Sequence, residues 1–113
     1  MKNLYFVLGS VLVLVGVAGF VMPSPLLGLF EVNAFHNIVH LATGGLTLVA
    51  ASQGIGAMRT WGKILGAVYL AVGIAGFVSP DMFGLMQVNM PDNLLHLALA
   101  AVYLYVGLIA PPR

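Results

Sequence analysis

Four apolar stretches, at residues 4–22, 35–52, 60–78 and 93–110, alternate with short segments where proline, asparagine and charge collect. A helix crosses the hydrocarbon core of a bilayer in about 20 residues, with a range near 17–25. Each stretch therefore predicts a transmembrane helix on the short side, accommodated by little tilt or a slightly thinned bilayer. The first carries no charge, and the second has only His36, Asn37 and His40 as strongly polar groups. The third starts beside Lys63, whose stem can snorkel to the headgroups, and the fourth is stopped by Pro111-Pro112. The predicted fold class is all-α, an integral membrane four-helix bundle.

The polar residues inside this pattern are themselves periodic. Asn33, Asn37, His40, Gly44 and Thr47 form one stripe down the second helix, and Asn89, Asn93, His96, Ala100 and Tyr103 form its counterpart down the fourth. Polar side chains within a membrane helix face the bundle interior or a cavity. The stripes should therefore meet near the middle of the bundle, or each should face its own preceding helix. Asn33 and Asn89 stand where N-caps belong, and Pro91 suits the first turn of the fourth helix.

The stripes belong to a wider repetition. Gly16-Val17-Ala18-Gly19-Phe20-Val21 returns as Gly73-Ile74-Ala75-Gly76-Phe77-Val78, and His40-Leu41-Ala42 returns as His96-Leu97-Ala98. The chain reads as one domain of 113 residues built from tandem two-helix repeats, at about 4–53 and 60–110. Both copies enter from the same face, so a pseudo-two-fold along the membrane normal is expected. The first apolar run also follows Lys2, as in a signal peptide, but its recurrence in mid-chain argues that it is retained.

Composition strengthens the membrane reading. Charged residues make up 6% and hydrophobic residues 61%, against roughly 25% charged in a soluble domain. Cysteine is absent, which removes disulfides, thiol catalysis and Cys-ligated metal. A net charge of +1 without a basic cluster makes nucleic acid a poor partner. Lys2, Arg59, Lys63 and Arg113 fall on one side of an alternating bundle, and Glu31, Asp81 and Asp92 on the other. The positive-inside rule then places both termini and a short loop at 53–60 in the cytoplasm, with Trp61 in the interface belt.

Small residues supply the expected packing. Gly9 and Gly16 share a face of the first helix; Gly66 and Gly73 repeat that spacing in the third, and Gly62 extends it. Such residues let membrane helices approach closely. The outer loops are greasy, with Leu26, Leu27, Leu29 and Phe30 in one and Met82, Phe83, Leu85 and Met86 in the other, and should lie in the interface as amphipathic turns.

The histidines admit several readings. As neutral struts, His40 and His96 would tie helices together through Asn37, Asn93 or backbone carbonyls, at about 0.6 kcal/mol per bond. As axial ligands, they could hold a haem, or each a chlorophyll-type magnesium, though no outer-side Lys or Arg awaits haem propionates. As a metal site, His36 and His40 form an i, i+4 pair that could be joined by His96, with Glu31 or Asp92 nearby. Met82, Met86 and Met90 recur every four residues and suggest Cu(I), but methionine is also a common gap-filler. No catalytic serine order, paired buried carboxylates or phosphate loop is present, so a non-enzyme is expected.

Gly28-Leu29-Phe30-Glu31-Val32-Asn33, followed by His36-Asn37-Ile38-Val39-His40, resembles the small bacterial four-helix membrane proteins grouped as domain of unknown function 4383. The resemblance covers most of the chain, because the second half repeats a weaker version. It implies an integral protein of a bacterial inner or internal membrane, with the Asn/His helix start as its hallmark. The second copy departs in carrying Asp92 for the first histidine and Ala100 for the glycine. The expected role is a scaffold or accessory subunit that contacts lipid and packs against a larger membrane complex or its own copies. The alternative is a tetrapyrrole- or metal-binding protein using His40 and His96.

Overall fold

The computed structural model describes residues 1–24, 28, 32–84 and 88–109. Expectations for Leu26, Leu27, Leu29, Phe30, Glu31, Leu85, Met86, the terminal prolines and Arg113 lie outside the described residues. The chain forms α1 (Lys2–Val21), α2 (Ala34–Gln53), α3 (Ile55–Val78) and α4 (Met90–Leu104), the last continued by a π-turn at Tyr105–Ile109. All four are long and apolar enough to cross a membrane, with Met90–Ile109 as the fourth span. At 1.5 Å per residue, 20 residues reach about 30 Å, the thickness of the hydrocarbon core. The protein is an integral membrane four-helix bundle.

The bundle is arranged inside out relative to a soluble one. On α1 the buried positions are Tyr5, Gly9, Leu12 and Gly16, spaced four, three and four, so they form a single stripe. On α3 the inner face includes Met58, Gly62, Leu65, Gly66, Tyr69, Gly73 and Gly76. The branched aliphatics point outward: Leu14 is 67% exposed, Val21 77% and Ile74 54%. Lipid tails solvate these side chains as well as a protein core would, so burying them gains little. Close backbone approach takes its place.

Glycine makes that approach possible within each pair of helices. A Cβ on Gly9 would stand 2.9 Å from the Gly44 carbonyl oxygen, and one on Gly44 would stand 2.8 Å from that of Gly9. Gly16 receives Leu41, while Gly73 and Gly66 receive Leu97 and Leu104. Where α4 ends, the wider π-turn carries Gly107 against the Gly62–Lys63 backbone, where a Cβ on Gly107 would stand 2.6 Å from the Lys63 nitrogen.

Two expectations are corrected. The loop at 53–60 is a single residue, Gly54, and α3 begins at Ile55. Gly54 has φ 117° and ψ −176°, a region essentially restricted to glycine, which reverses the chain in one step. Helix α3 is thereby 24 residues long, and exposed Lys63 and half-buried Trp61 sit two turns inside it. Met82 was placed in an interfacial turn by sequence. It is instead buried beneath a 3-10 turn (Met82–Gly84) and packs with Val88 against Val72 and Ala75.

Overpacking a tight contact costs about 1–3 kcal/mol. Gly44→Val should lower unfolding stability in detergent by that order, whereas Gly45→Ala, which meets nothing within 4 Å, should be neutral or stabilising. Equal destabilisation by both would show that backbone approach does not hold α1 to α2.

Candidate functional site

Two helix starts on the side opposite the termini position the site. Asn33 caps α2, its side-chain oxygen accepting from the His36 amide at 2.9 Å. That fixes His36 in the first turn and His40 one turn deeper. At α4, Asn89 accepts from the Asp92 amide at 3.0 Å, and its own amide donates to Asp92 Oδ2 at 3.0 Å. This capping box satisfies two otherwise orphaned amides. His96 follows Asp92 by four residues, so it lies one turn deeper on the same face.

These starts bring the three histidines together. One nitrogen from each of His36, His40 and His96 falls in a group spanning no more than 4.8 Å. His36 Nε2 and His96 Nε2 are 3.3 Å apart. Ring centroids lie 4.4 Å apart for His36 and His40, 5.3 Å for His36 and His96, and 6.0 Å for His40 and His96. All three side chains are at most 2% exposed. Asp92 is not among them, because its carboxylate closes the capping box. Glu31, also considered for this site, lies outside the described residues.

The hydrogen bonding expected of structural struts is only partly present. His36 and His96 face each other, and one must present an unprotonated nitrogen for a bond at that distance. Both ring nitrogens of His40, and Nδ1 of His96, have no hydrogen-bond partner among the described residues. Asn37 and Asn93 are not their partners. The Asn37 oxygen lies over Gly19 and the Asn93 oxygen over Gly76, where a Cβ would collide with it. Each asparagine therefore faces its own preceding helix, in a weak Cα–H···O contact. The two alternatives for the polar stripes are both realised: asparagines turn outward to α1 and α3, and histidines meet in the middle.

A cavity of about 250 Å³ adjoins the cluster. Phe35, Val39, Val68, Val72 and Met82 line it together with ring carbons of His36, His40, Tyr69 and His96, so the surface facing the cavity is apolar. Below it, toward the termini, runs a column of buried hydroxyls. Tyr69 OH lies 2.7 Å from Thr43 Oγ1, and its ring lies 5.7 Å from that of His96. Thr47 Oγ1 donates to the Thr43 carbonyl at 2.7 Å, so Tyr103 OH, 2.6 Å away, is the donor in their pair. Tyr5 OH donates to the Met58 carbonyl at 2.8 Å.

Tyr5, Tyr69 and Thr43 escaped the sequence reading, which favoured residues kept in both halves. Their counterparts by repeat position are Gly62, Leu12 and Leu99. The signal available was complementarity: Tyr5 OH lies within 2.8 Å of where a Gly62 Cβ would stand, and Thr47 pairs with its own counterpart, Tyr103.

Fold and site together define a polytopic four-helix membrane protein with a buried three-histidine centre. The chain belongs to the family described as Domain of unknown function (DUF4383), which matches residues 2–109. No curated protein and no solved structure matches it.

Loss of a helix cap costs about 0.5–2 kcal/mol. Asn89→Ala, which dismantles both halves of the capping box, should destabilise the protein in reversible detergent unfolding more than Asn33→Ala. The reverse order would show that α4 does not depend on its box.

Proposed function

We propose that this protein binds one d-block metal ion between His36, His40 and His96, in the half of the membrane away from its termini. The observation that carries the reading is the convergence of three buried imidazoles from two helix pairs, with both nitrogens of His40 left unpartnered among the described residues. A buried polar group without a partner costs about 1–3 kcal/mol, which an ion would recover. Tetrahedral nitrogens at 2.0–2.1 Å from a metal stand about 3.3 Å apart, the separation of His36 Nε2 and His96 Nε2. His40 offers a nitrogen within 4.8 Å of the other two.

An ion fits better than a macrocycle. Axial ligation by His40 and His96 requires a flat ring that extends several ångströms to every side of them, but His36 crowds that plane, its Nε2 3.3 Å from that of His96. The 250 Å³ cavity is also below the roughly 300–1,000 Å³ typical of small-molecule pockets. The scaffold reading loses its motive, because the glycine stripes that suggested a docking face are used between α1 and α2 and between α3 and α4. The remaining surface is largely aliphatic and aromatic, as lipid requires.

Orientation follows from charge, with Lys2, Arg59 and Lys63 at the end carrying the termini and Asp81 and Asp92 at the other. Termini in the cytoplasm place the histidines toward the outer leaflet. The non-enzymatic reading rests on the sequence, which has no Ser/His/Asp order, paired buried carboxylates or phosphate loop.

Protein purified from native membranes in mild detergent should contain, or bind on titration, one metal ion per chain by elemental analysis. His40→Ala and His96→Ala should abolish this, while Gly45→Ala, which meets nothing within 4 Å, retains it. Undiminished binding in His40→Ala, or no binding by the wild type, would overturn the reading. A Soret or chlorophyll-type band between 350 and 900 nm would replace it with the tetrapyrrole alternative.

A further inference from the structure

We infer that the ion of this site is the soft monocation Cu(I), with the thioether of Met82 as a fourth donor; the inference rests on the metal-binding reading above. The first ground is charge. Three neutral imidazoles supply no negative charge, and no carboxylate lines the cavity among the described residues. Asp92, the buried carboxylate closest in sequence to a ligand, stands one turn outward, where it accepts from the Asn89 amide. The cost of burying an ion in a medium of low dielectric rises with the square of its charge in the Born description, so a dication is penalised about four times as heavily as a monocation. Zinc sites offset this with thiolate or carboxylate ligands, or with carboxylates hydrogen-bonded behind the histidines. Here Nδ1 of His40 and of His96 has no such partner among the described residues.

The second ground is donor chemistry. Met82 lines the same cavity as the three histidines, and its side chain is 7% exposed. Apart from the histidines and Tyr69, whose hydroxyl is engaged with Thr43, the rest of the lining is hydrocarbon, so among the described residues the Met82 sulfur is the further donor left uncommitted. Soft thioethers select Cu(I), which also accepts imidazole. Met82 has a backbone φ of 49°, the one positive value outside glycine among the described residues. Left-handed backbone is uncommon for a side chain of this size and clusters at ligand sites. The 3-10 turn that holds it there carries the side chain into the wall of the cavity that the histidines also line, packed against Val72 and Ala75, instead of into the interface.

The test uses the full chain in detergent, titrated anaerobically with Cu(I) against a chromogenic chelator and separately with Zn(II). The wild type should bind one Cu(I) and prefer it over Zn(II). Met82→Leu conserves volume and should fold normally. It should weaken Cu(I) by about tenfold or more, since even outer-shell partners are worth that much, and leave Zn(II) unchanged. X-ray absorption at the copper edge should show sulfur in the wild type and none in Met82→Leu. Equal or tighter Zn(II) binding, or Cu(I) affinity untouched by Met82→Leu, would overturn the copper assignment while leaving the metal site standing. Failure of both ions to bind the wild type would remove the site itself.

Discussion

Everything in this bundle depends on how closely two helices can approach when lipid gives them no reason to hide their aliphatic side chains. Dispersion and hydrogen bonds replace the hydrophobic effect, and both fall off steeply with distance. Gly9 against Gly44 and Gly62 against Gly107 bring backbones together within each pair of helices. The interior left between the pairs is then narrow, and polar groups placed there meet partners. Between the pairs, Thr43 reaches Tyr69 and Thr47 reaches Tyr103 at 2.7 and 2.6 Å.

The two kinds of interface have different chemistry. Within α1–α2 and α3–α4 the contacts are glycine against leucine, with one asparagine oxygen over a glycine in each. Between the pairs they are hydroxyls and imidazoles. Apolar close packing tolerates sliding, whereas a hydroxyl pair or a three-nitrogen cluster exists only in one register. The hydroxyl column thus sets how the pairs dock, and the histidines benefit from that alignment.

Much of this was legible in the sequence. Apolar length gave four spans, and Asn33 and Asn89 marked the helix starts because few residues can satisfy a first-turn amide. The spacing of Asn37, His40, Thr47 and their counterparts identified the inner faces. Helix α3 begins earlier than expected because residues 53–60, with two glycines and an arginine, read as a loop, and only a glycine backbone angle reveals that one residue suffices to turn. The tyrosines were missed for a different reason. Positions facing one another across the middle of the bundle compete for the same space, so a large residue in one half requires a small one in the other, as with Tyr5 and Gly62. Searching for sameness passes over them. That His36 joins His40 and His96 while Asp92 turns to its own cap depended on side-chain rotamers, which no periodicity encodes.

Gly54 acts as the fulcrum of a lever. It joins α2 to α3 at the end of the bundle remote from the histidines, and from there to His40 runs about 20 Å of helix at 1.5 Å per residue. A change of a few degrees in the angle between α2 and α3 at that point becomes a displacement of an ångström or more at the far end. A residue with a side chain could not hold the same backbone, and a longer linker would leave the angle undetermined. The separation of nitrogens near one membrane face is therefore governed by a hydrogen atom, in place of a side chain, near the other.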